Sequence, residues 1–369
     1  MSLPPPQTIA ASVTAPAARQ SALVRCLAAL DFTTDAETQL RYAARQLNLS
    51  DYFLLAGLLL RNHAFWDVLL PTNPHGDVAV FENRLGGMTL GLADRYRTVY
   101  CLPATPIDAV AVRQRIMRTG VGNVRLLDPS ALDAVSPAAI VLSAICGGSD
   151  PAASDRLDAF FACLPRWLDR GAVLLISDNN RASYRRLRAP TAPKGLWSVA
   201  QLEHRLRTYG VRHINRYFNQ SQLSPGLWPP PEFLSVSEHD RVLGAPRAKG
   251  WLLTHRLASR WRPSYLYVAS RESRPGLLDE LVKLSGAVER QGWGGSKYIV
   301  KKLVAGNSGV TVALVGPAGR RDRDIVVRIA SHAGGEARCQ ANAKSLETLG
   351  TSVFAGRVPV LLHAGLWNG

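Results

Sequence analysis

Five short apolar runs recur between residues 71 and 180, and polar residues do not alternate within them. Runs of this kind are typical of parallel strands that are covered on both faces. They lie at residues 78–81, 98–102, 124–127, 139–143 and 172–176. Segments with helical spacing separate them, at residues 88–96, 107–118 and 155–169. The alternation predicts an α/β protein with a doubly wound, Rossmann-like sheet.

The remaining sequence divides into segments with different patterns. Residues 1–20 are rich in Pro, Ala, Ser and Thr, which predicts a flexible tail. Leu23, Leu27 and Leu30 form an apolar stripe at helical spacing, which predicts a helical extension. We predict the following segments: a flexible tail (1–20), a helical extension (21–70), the α/β domain (71–271), a linker (272–298) and a small α+β unit (299–369).

Later elements complete the predicted α/β domain. A helix at residues 198–209 precedes a strand at 211–218, and a Pro-rich excursion follows at 224–231. The run SYLYVA at residues 264–269 predicts a closing strand.

Composition narrows the classes of partner. The chain has 44 Lys and Arg against 28 Asp and Glu, a formal net charge of +16, which is compatible with anionic partners. Abundant Ala and Arg with 23 Pro are also typical of high-GC coding, and no basic run carries interleaved aromatic residues. We therefore do not expect nucleic-acid binding.

Cysteine spacing and apolar length bear on location. The five cysteines are scattered, without the CxxC or Cys/His spacing of a metal site, and are expected to be reduced thiols. The longest apolar run, residues 52–60, is too short to cross a bilayer, and the first residues do not resemble a signal peptide. These features predict a cytoplasmic protein with no bound metal.

Candidate binding residues follow the first and third predicted strands. Glu82 ends the first strand, and Gly86 and Gly87 form a turn before the next helix. Asp128 follows the third strand. A strand, a glycine turn and a helix N-terminus create a pocket at the carboxyl edge of a parallel sheet. Structural alternatives stay open for both acids: Glu82 could pair with Arg84 or cap the following helix, and Asp128 could be a turn residue before Pro129.

The order of elements and these residues resemble a class I S-adenosylmethionine-dependent methyltransferase, over residues 71–271. The resemblance implies a seven-stranded sheet whose last strand is inserted antiparallel. It also implies S-adenosylmethionine as cofactor, bound by Glu82, Gly86, Gly87 and Asp128. Glu82 would meet the methionine amino group directly or through water, and Asp128 would face the adenine. The acceptor would be a small molecule or a glycan, and the catalytic residue is unassigned.

The sequence departs from the family pattern at two places. Arg84 and Met88 stand where the family has two of its three glycines, and side chains there would narrow the pocket. Leu102 and Pro103 stand where the family has the carboxylate that holds the ribose hydroxyls. A degenerate methyltransferase scaffold without cofactor is therefore the alternative.

The C-terminal segment resembles the N-terminal lobe of aminoglycoside-phosphotransferase-like kinases. Three strands are predicted at residues 299–304, 311–315 and 324–329, followed by a helix. The resemblance implies that Gly306 and Gly309 cover phosphates, that Arg328 replaces the usual Lys, and that Glu336 pairs with it. A hairpin turn and an ordinary ion pair are the simpler alternatives. ATP and Mg²⁺ are expected only in a longer parent protein with a complete kinase domain, as in bacterial methyltransferase-kinase fusions that modify polysaccharides.

Overall fold

The fold is described from a computed structural model. The structure describes residues 22–60, 65–71, 76–83, 85–143, 151–179, 197–219, 232–235, 264–293, 298–305, 310–317, 324–330, 333–352 and 359–365. The predicted tail (1–20) and the Pro-rich excursion (224–231) lie outside these residues.

A mixed sheet of eleven strands runs through the described residues, in the order β11-β10-β9-β7-β6-β8-β5-β4-β1-β2-β3. The strands are β1 (Asp77–Glu82), β2 (Thr98–Pro103), β3 (Val124–Leu126), β4 (Ala139–Ser143), β5 (Val173–Asn179), β6 (His213–Asn219), β7 (Glu232–Ser235), β8 (Ser264–Ser270), β9 (Tyr298–Ala305), β10 (Val310–Pro317) and β11 (Ile325–Ala330). Strands β1 to β5 are parallel to one another. Strand β8 is antiparallel to both of its neighbours, β5 and β6. Strands β1 to β6 and β8 thus have the predicted doubly wound arrangement with the last strand inserted antiparallel, although they belong to a sheet larger than the seven strands predicted.

Both faces of the central sheet are covered, which explains the apolar runs without polar alternation. In β1, Val78 and Val80 belong to the hydrophobic core on one face, while Ala79 and Phe81 belong to the core on the other. All four side chains are 1% exposed or less. A strand that must fill two cores cannot place polar residues at alternate positions.

Helices flank the sheet and join its parallel strands. The α-helices are α1 (Ala22–Ala29), α2 (Ala36–Ala43), α3 (Leu49–Leu60), α4 (Gly87–Ala93), α5 (Pro106–Thr119), α6 (Pro151–Asp169), α7 (Val199–Thr208), α8 (Leu277–Leu284), α9 (Ala287–Arg290) and α10 (Ala333–Gly350). Thr105 caps α5 by accepting a hydrogen bond from the Asp108 N–H, and Ser198 forms a capping box with Gln201 at α7. These caps fix where the two helices begin.

The N-terminal helices form a helical cap, which we define as α1 to α3. The predicted helical spacing of this region is confirmed. Buried residues of the cap, including Phe32 and Leu55, form one hydrophobic cluster with Leu85 and Ala111. Leu85 follows β1 and Ala111 lies in α5, so the cap packs on the α/β domain at the carboxyl end of β1.

The C-terminal strands form as predicted, but they extend the same sheet. Strand β7 pairs with β6 on one side and with β9 on the other, and β9, β10 and β11 continue as an antiparallel set. The sequence did not predict β7, α8 or α9. The strand and helix order of the C-terminal segment agrees with the prediction, whereas its kinase-like character is not confirmed and stays a prediction.

In the part of the chain that the structure describes, every helix is too short or too polar to cross a lipid bilayer.

Candidate functional site

The carboxyl ends of β1, β2 and β3 lie side by side at one edge of the sheet. Glu82 pairs with Pro103 in the register of β1 and β2, and Leu126 pairs with Cys101 in that of β2 and β3. Glu82 is the last residue of β1, and Asp128 lies two residues beyond β3. The topology therefore brings the predicted residues to the same edge, where ligands bind in open parallel sheets.

Glu82 is fully buried and anchors the start of α4. Its Oε2 atom accepts a hydrogen bond of 2.8 Å from the Thr89 N–H and another of 2.7 Å from the Thr89 hydroxyl. The Thr89 hydroxyl also lies 3.3 Å from the Cys101 sulfur. Of the two structural alternatives, the helix-capping contact is present. Arg84, the other suggested partner, lies outside the described residues.

The bend between β1 and α4 has a left-handed backbone. Leu85 has a φ of 53° and Gly86 a φ of 84°. A Cβ atom on Gly86 would lie 3.3 Å from both the Cα and the Cγ2 of Val112. Gly86 is therefore required by the backbone conformation and by the close approach of α5. This structural reason for the glycine holds independently of any ligand.

Asp108, in the first turn of α5, reaches back to the bend. Its Oδ1 atom accepts a 3.2 Å hydrogen bond from the Leu85 N–H, and its Oδ2 atom accepts one of 2.7 Å from the Thr105 hydroxyl. The carboxyl group is almost fully buried, and this burial raises the pKa of Asp108 to about 7, with the nearby Glu82 charge adding to the effect. Asp108 follows Pro103, where the second-strand carboxylate was expected, by five residues, and its contact with the bend was not predicted from the sequence.

Two arginines hold main-chain carbonyl groups at this edge. A guanidinium N–H of Arg115 donates to the Leu85 carbonyl at 2.8 Å, and burial lowers the pKa of Arg115 while the charge of Glu82 opposes that change. Arg156 of α6 donates to the Pro103 carbonyl at 3.0 Å. Pro103 stands where a ribose-binding carboxylate was expected. At that point of the edge, the guanidinium group of Arg156 contacts the backbone carbonyl.

Asp128 is exposed and begins the 3₁₀ helix Pro129–Ala134. Its backbone carbonyl accepts a hydrogen bond from the Ala131 N–H at 3.0 Å, but its side chain makes no capping hydrogen bond. The carboxylate is thus available at the carboxyl end of β3. The turn role and the ligand role are compatible, because they use different atoms of the residue.

The bulky residues that depart from the glycine pattern have different positions. Met88 is fully buried in the core on the Val78 face of the sheet, and Leu102 is fully buried in the core on the Phe81 face. The side chain of Arg84 is not described. The packing of Met88 and Leu102 accounts for their size as core residues.

A second group of polar residues lies at the carboxyl end of β5, and the sequence analysis did not identify it. Asp178 is 2% exposed and pairs in register with Tyr265 of β8. Burial raises the pKa of Tyr265 well above its ordinary value, and the charge of Asp178 contributes. An acidic residue ending a buried apolar strand is the signal that could have identified Asp178.

The residues suggested for a nucleotide site in the C-terminal segment are described only in part. Gly306 and Gly309 lie outside the described residues. Arg328 is exposed on β11, and Glu336 accepts a 3.2 Å hydrogen bond from Gln340 within α10. The salt bridges of the described residues do not include one between Arg328 and Glu336. A nucleotide role for these four residues stays a prediction.

Comparisons with known proteins give weak structural similarities. No protein-family model matches the sequence, and no curated protein matches it. The structure is similar to an rRNA methylase from Streptococcus thermophilus, with 15% identity, a TM-score of 0.32 and coverage of 57% of this chain and 94% of that one. It is also similar to precorrin-6y C5,15-methyltransferase from Geobacter metallireducens, with 12% identity, a TM-score of 0.30 and coverage of 57% and 85%.

A third similar structure is phosphoethanolamine N-methyltransferase 2 from Haemonchus contortus, in complex with phosphomonomethylethanolamine and S-adenosylhomocysteine. It has 11% identity, a TM-score of 0.36 and coverage of 58% of this chain and 52% of that one. All three structures carry the name of a methylase or methyltransferase. At these identities and TM-scores the similarities do not assign a function to this chain.

Proposed function

We propose that this chain is an S-adenosylmethionine-dependent methyltransferase of class I fold that acts on a small-molecule or glycan acceptor. The observation that carries the proposal is the strand order β3-β2-β1-β4-β5-β8-β6, in which β8 alone runs antiparallel to the other six strands. This arrangement agrees with the class I resemblance of the sequence.

Parts of the carboxyl edge fit this cofactor and one part departs from the family pattern. The exposed Asp128 carboxylate, without a capping bond, can accept a hydrogen bond from an adenine amino group. Gly87, the first residue of α4, would allow a close backbone approach beside the methionine portion, whereas Gly86 shapes the bend and its Cβ side is occupied by α5. At the end of β2, Pro103 offers no carboxylate for the ribose hydroxyls, and we assign no residue to that contact.

The residues of this chain would act mainly by positioning. When bound, S-adenosylmethionine supplies an electrophilic methyl group on its sulfur. Glu82, whose carboxylate is fully buried, would meet the amino group of the methionine portion through water, while its Oε2 atom keeps Thr89 and the start of α4 in place. Because alignment of the reacting groups provides much of the rate enhancement in such a transfer, no catalytic base is required by the proposal.

Thermal unfolding with added ligand tests the proposed function. A ligand that binds only the folded state raises its stability in proportion to the logarithm of ligand concentration. We expect S-adenosylmethionine and S-adenosylhomocysteine to raise Tm, and adenosine alone to raise it less because it lacks the methionine portion. Equal Tm values with and without millimolar cofactor would contradict the proposal.

The second candidate is a degenerate methyltransferase scaffold. It is favoured by the engagement of Glu82 with Thr89 and by the contact between Arg156 and the Pro103 carbonyl. This candidate predicts a cooperatively folded protein whose Tm does not respond to cofactor.

ATP-dependent phosphotransfer requires metal-binding acids and an orienting group. We propose it only for a longer parent protein that carries a complete kinase domain, where β9 to β11 and α10 would belong to the first lobe.

A further inference from the structure

Leu85 is the one non-glycine residue with a positive φ among the described residues. The left-handed conformation is unfavourable for a residue with a Cβ atom and persists where the surrounding structure fixes it. At this position a glycine would adopt the same backbone without strain. The presence of a leucine therefore indicates that its side chain is needed here.

Two hydrogen bonds fix the backbone of Leu85, one through its N–H group and one through its carbonyl group. Its N–H donates to Asp108 at 3.2 Å, and its carbonyl accepts from Arg115 at 2.8 Å. Both partners lie in α5. The bend is thus attached to one helix through a donor and an acceptor of the same residue.

The Leu85 side chain provides the third attachment, and it belongs to a different structural unit. It is 4% exposed and packs in the hydrophobic cluster of the helical cap, together with Phe32, Leu40 and Leu55. The bend that follows β1 is therefore built partly from the α/β domain and partly from the cap.

The cap is also attached directly to α5, the helix that carries Asp108 and Arg115. The Phe32 N–H donates to the side-chain oxygen of Gln114 at 3.0 Å, and Arg118 donates to the Thr34 carbonyl. The cap, α5 and the bend are consequently each in contact with the other two. Loss of the Leu85 side chain removes the link between cap and bend while leaving these other links intact.

We propose that Leu85 is a positioning residue through which the helical cap fixes the bend that presents Gly86 and Gly87 to the cofactor. The inference rests on the proposed function for the identity of the ligand. The coupling between cap and bend rests only on the contacts described above. The cap is then a required part of the cofactor site, and cofactor affinity depends on packing at a residue that does not itself contact the ligand.

The test compares Leu85→Ala with the conservative Leu85→Met and with Leu206→Ala. Leu206 lies in α7, is 1% exposed and packs in the core on the other face of the sheet, so its truncation also removes buried apolar atoms. The affinity for S-adenosylhomocysteine is measured by calorimetric titration, and Tm verifies that each variant is folded. Amide hydrogen exchange of Thr89, whose N–H is bonded to Glu82, reports on the bend without any ligand.

The expected results distinguish a specific effect on the bend from a general loss of stability. Leu85→Ala should weaken binding about tenfold or more, because the bend is no longer pre-organised, and should accelerate Thr89 exchange. Leu85→Met should restore binding to within about threefold, since it refills the cap cluster. Leu206→Ala should leave the affinity and the Thr89 exchange near those of the unaltered protein.

The outcomes distinguish failure of the inference from failure of the proposed function. If the unaltered protein binds S-adenosylhomocysteine and Leu85→Ala binds it equally well, the inference is wrong and the proposed function stands. If the unaltered protein does not bind, the proposed function fails, and Thr89 exchange decides the coupling. Equal exchange in Leu85→Ala and Leu206→Ala would then overturn the inference.

Discussion

The Glu82 carboxylate and Thr89 form a buried pair in which one carboxylate oxygen accepts both the Thr89 N–H, at 2.8 Å, and the Thr89 hydroxyl, at 2.7 Å. The pair connects the last residue of β1 to the first turn of α4. It keeps a carboxylate at the carboxyl edge of the sheet despite complete burial, because the charge is compensated by hydrogen bonds. The geometry of the bend between them depends on this connection.

Replacement of Thr89 by Val tests the contribution of the hydroxyl hydrogen bond. The variant keeps the size of the side chain but removes a donor to a buried carboxylate, so we expect the free energy of unfolding to fall by about 1–3 kcal/mol. Thr119→Val is the matched control, because the Thr119 hydroxyl is exposed and bonds only carbonyl groups of its own helix. Urea denaturation of both variants checks the prediction. Equal stability changes would show that the Glu82–Thr89 pair has no special role.

Asp108 predicts a pH dependence of stability. Burial raises its pKa from the ordinary value of 3.8 to about 7, so the folded state retains a proton that the unfolded state releases near pH 4. The resulting stabilisation is fully present below about pH 4 and is lost as the pH rises through about 7. Asp108→Asn cannot titrate and keeps an oxygen acceptor for the Leu85 N–H. The variant should therefore gain stability relative to the unaltered protein between pH 4.5 and 8, by about 3 kcal/mol.

Urea denaturation of the two proteins across this pH range measures the effect as a difference. Asp67, whose pKa burial raises to about 6, titrates in both proteins and cancels in the comparison. A stability difference that stays constant from pH 4.5 to 8 would contradict the assignment of a raised pKa to Asp108.

A comparison of Gly86 and Gly120 separates the destabilisation caused by backbone strain from that caused by close packing. Both have positive φ, at 84° and 69°, but a Cβ on Gly86 meets Val112 at 3.3 Å while one on Gly120 meets no atom within 4 Å. Gly120→Ala should destabilise the fold by about 1 kcal/mol through backbone strain alone. Gly86→Ala should destabilise it more, by about 2–3 kcal/mol, because α5 must also shift. Denaturation midpoints compare them, and a smaller effect at Gly86 would refute the close approach of α5.

Asp128 should affect cofactor binding without affecting stability. Its side chain is exposed and makes no capping bond, so Asp128→Asn should change the free energy of unfolding by less than about 0.5 kcal/mol. If the carboxylate binds adenine, affinity for S-adenosylhomocysteine should fall about tenfold. Asp158→Asn, an exposed replacement on α6, is the control and should retain full affinity. Unchanged binding in Asp128→Asn would remove this residue from the site.

The fold was predictable where local pattern and topology agree. Buried parallel strands such as β1 and β4 are continuous apolar runs, and the right-handed crossover rule leaves few ways to connect them. Strand β7, Glu232–Ser235, has four residues next to a Pro-rich stretch, so no periodicity identifies it. Its pairing with β9 is a tertiary contact, which explains why the C-terminal strands were predicted but their place in the same sheet was not.

The site was predictable in part for similar reasons. Glu82 and Asp128 follow apolar strands, which places them at the carboxyl edge without knowledge of any contact. The roles of Asp108 and Leu85 depend on the approach of α5 and of the helical cap to the bend. These contacts join residues that are distant in sequence, so they cannot be predicted from the pattern of apolar and polar positions.

The most direct test of the central claim is calorimetric titration of the unaltered protein with S-adenosylhomocysteine. A methyltransferase site at the edge formed by Glu82, Gly86 and Asp128 predicts saturable binding of one ligand per chain, which weakens in Asp128→Asn. No binding heat at millimolar ligand, with a Tm that the ligand leaves unchanged, would contradict it and leave only the architecture of a methyltransferase.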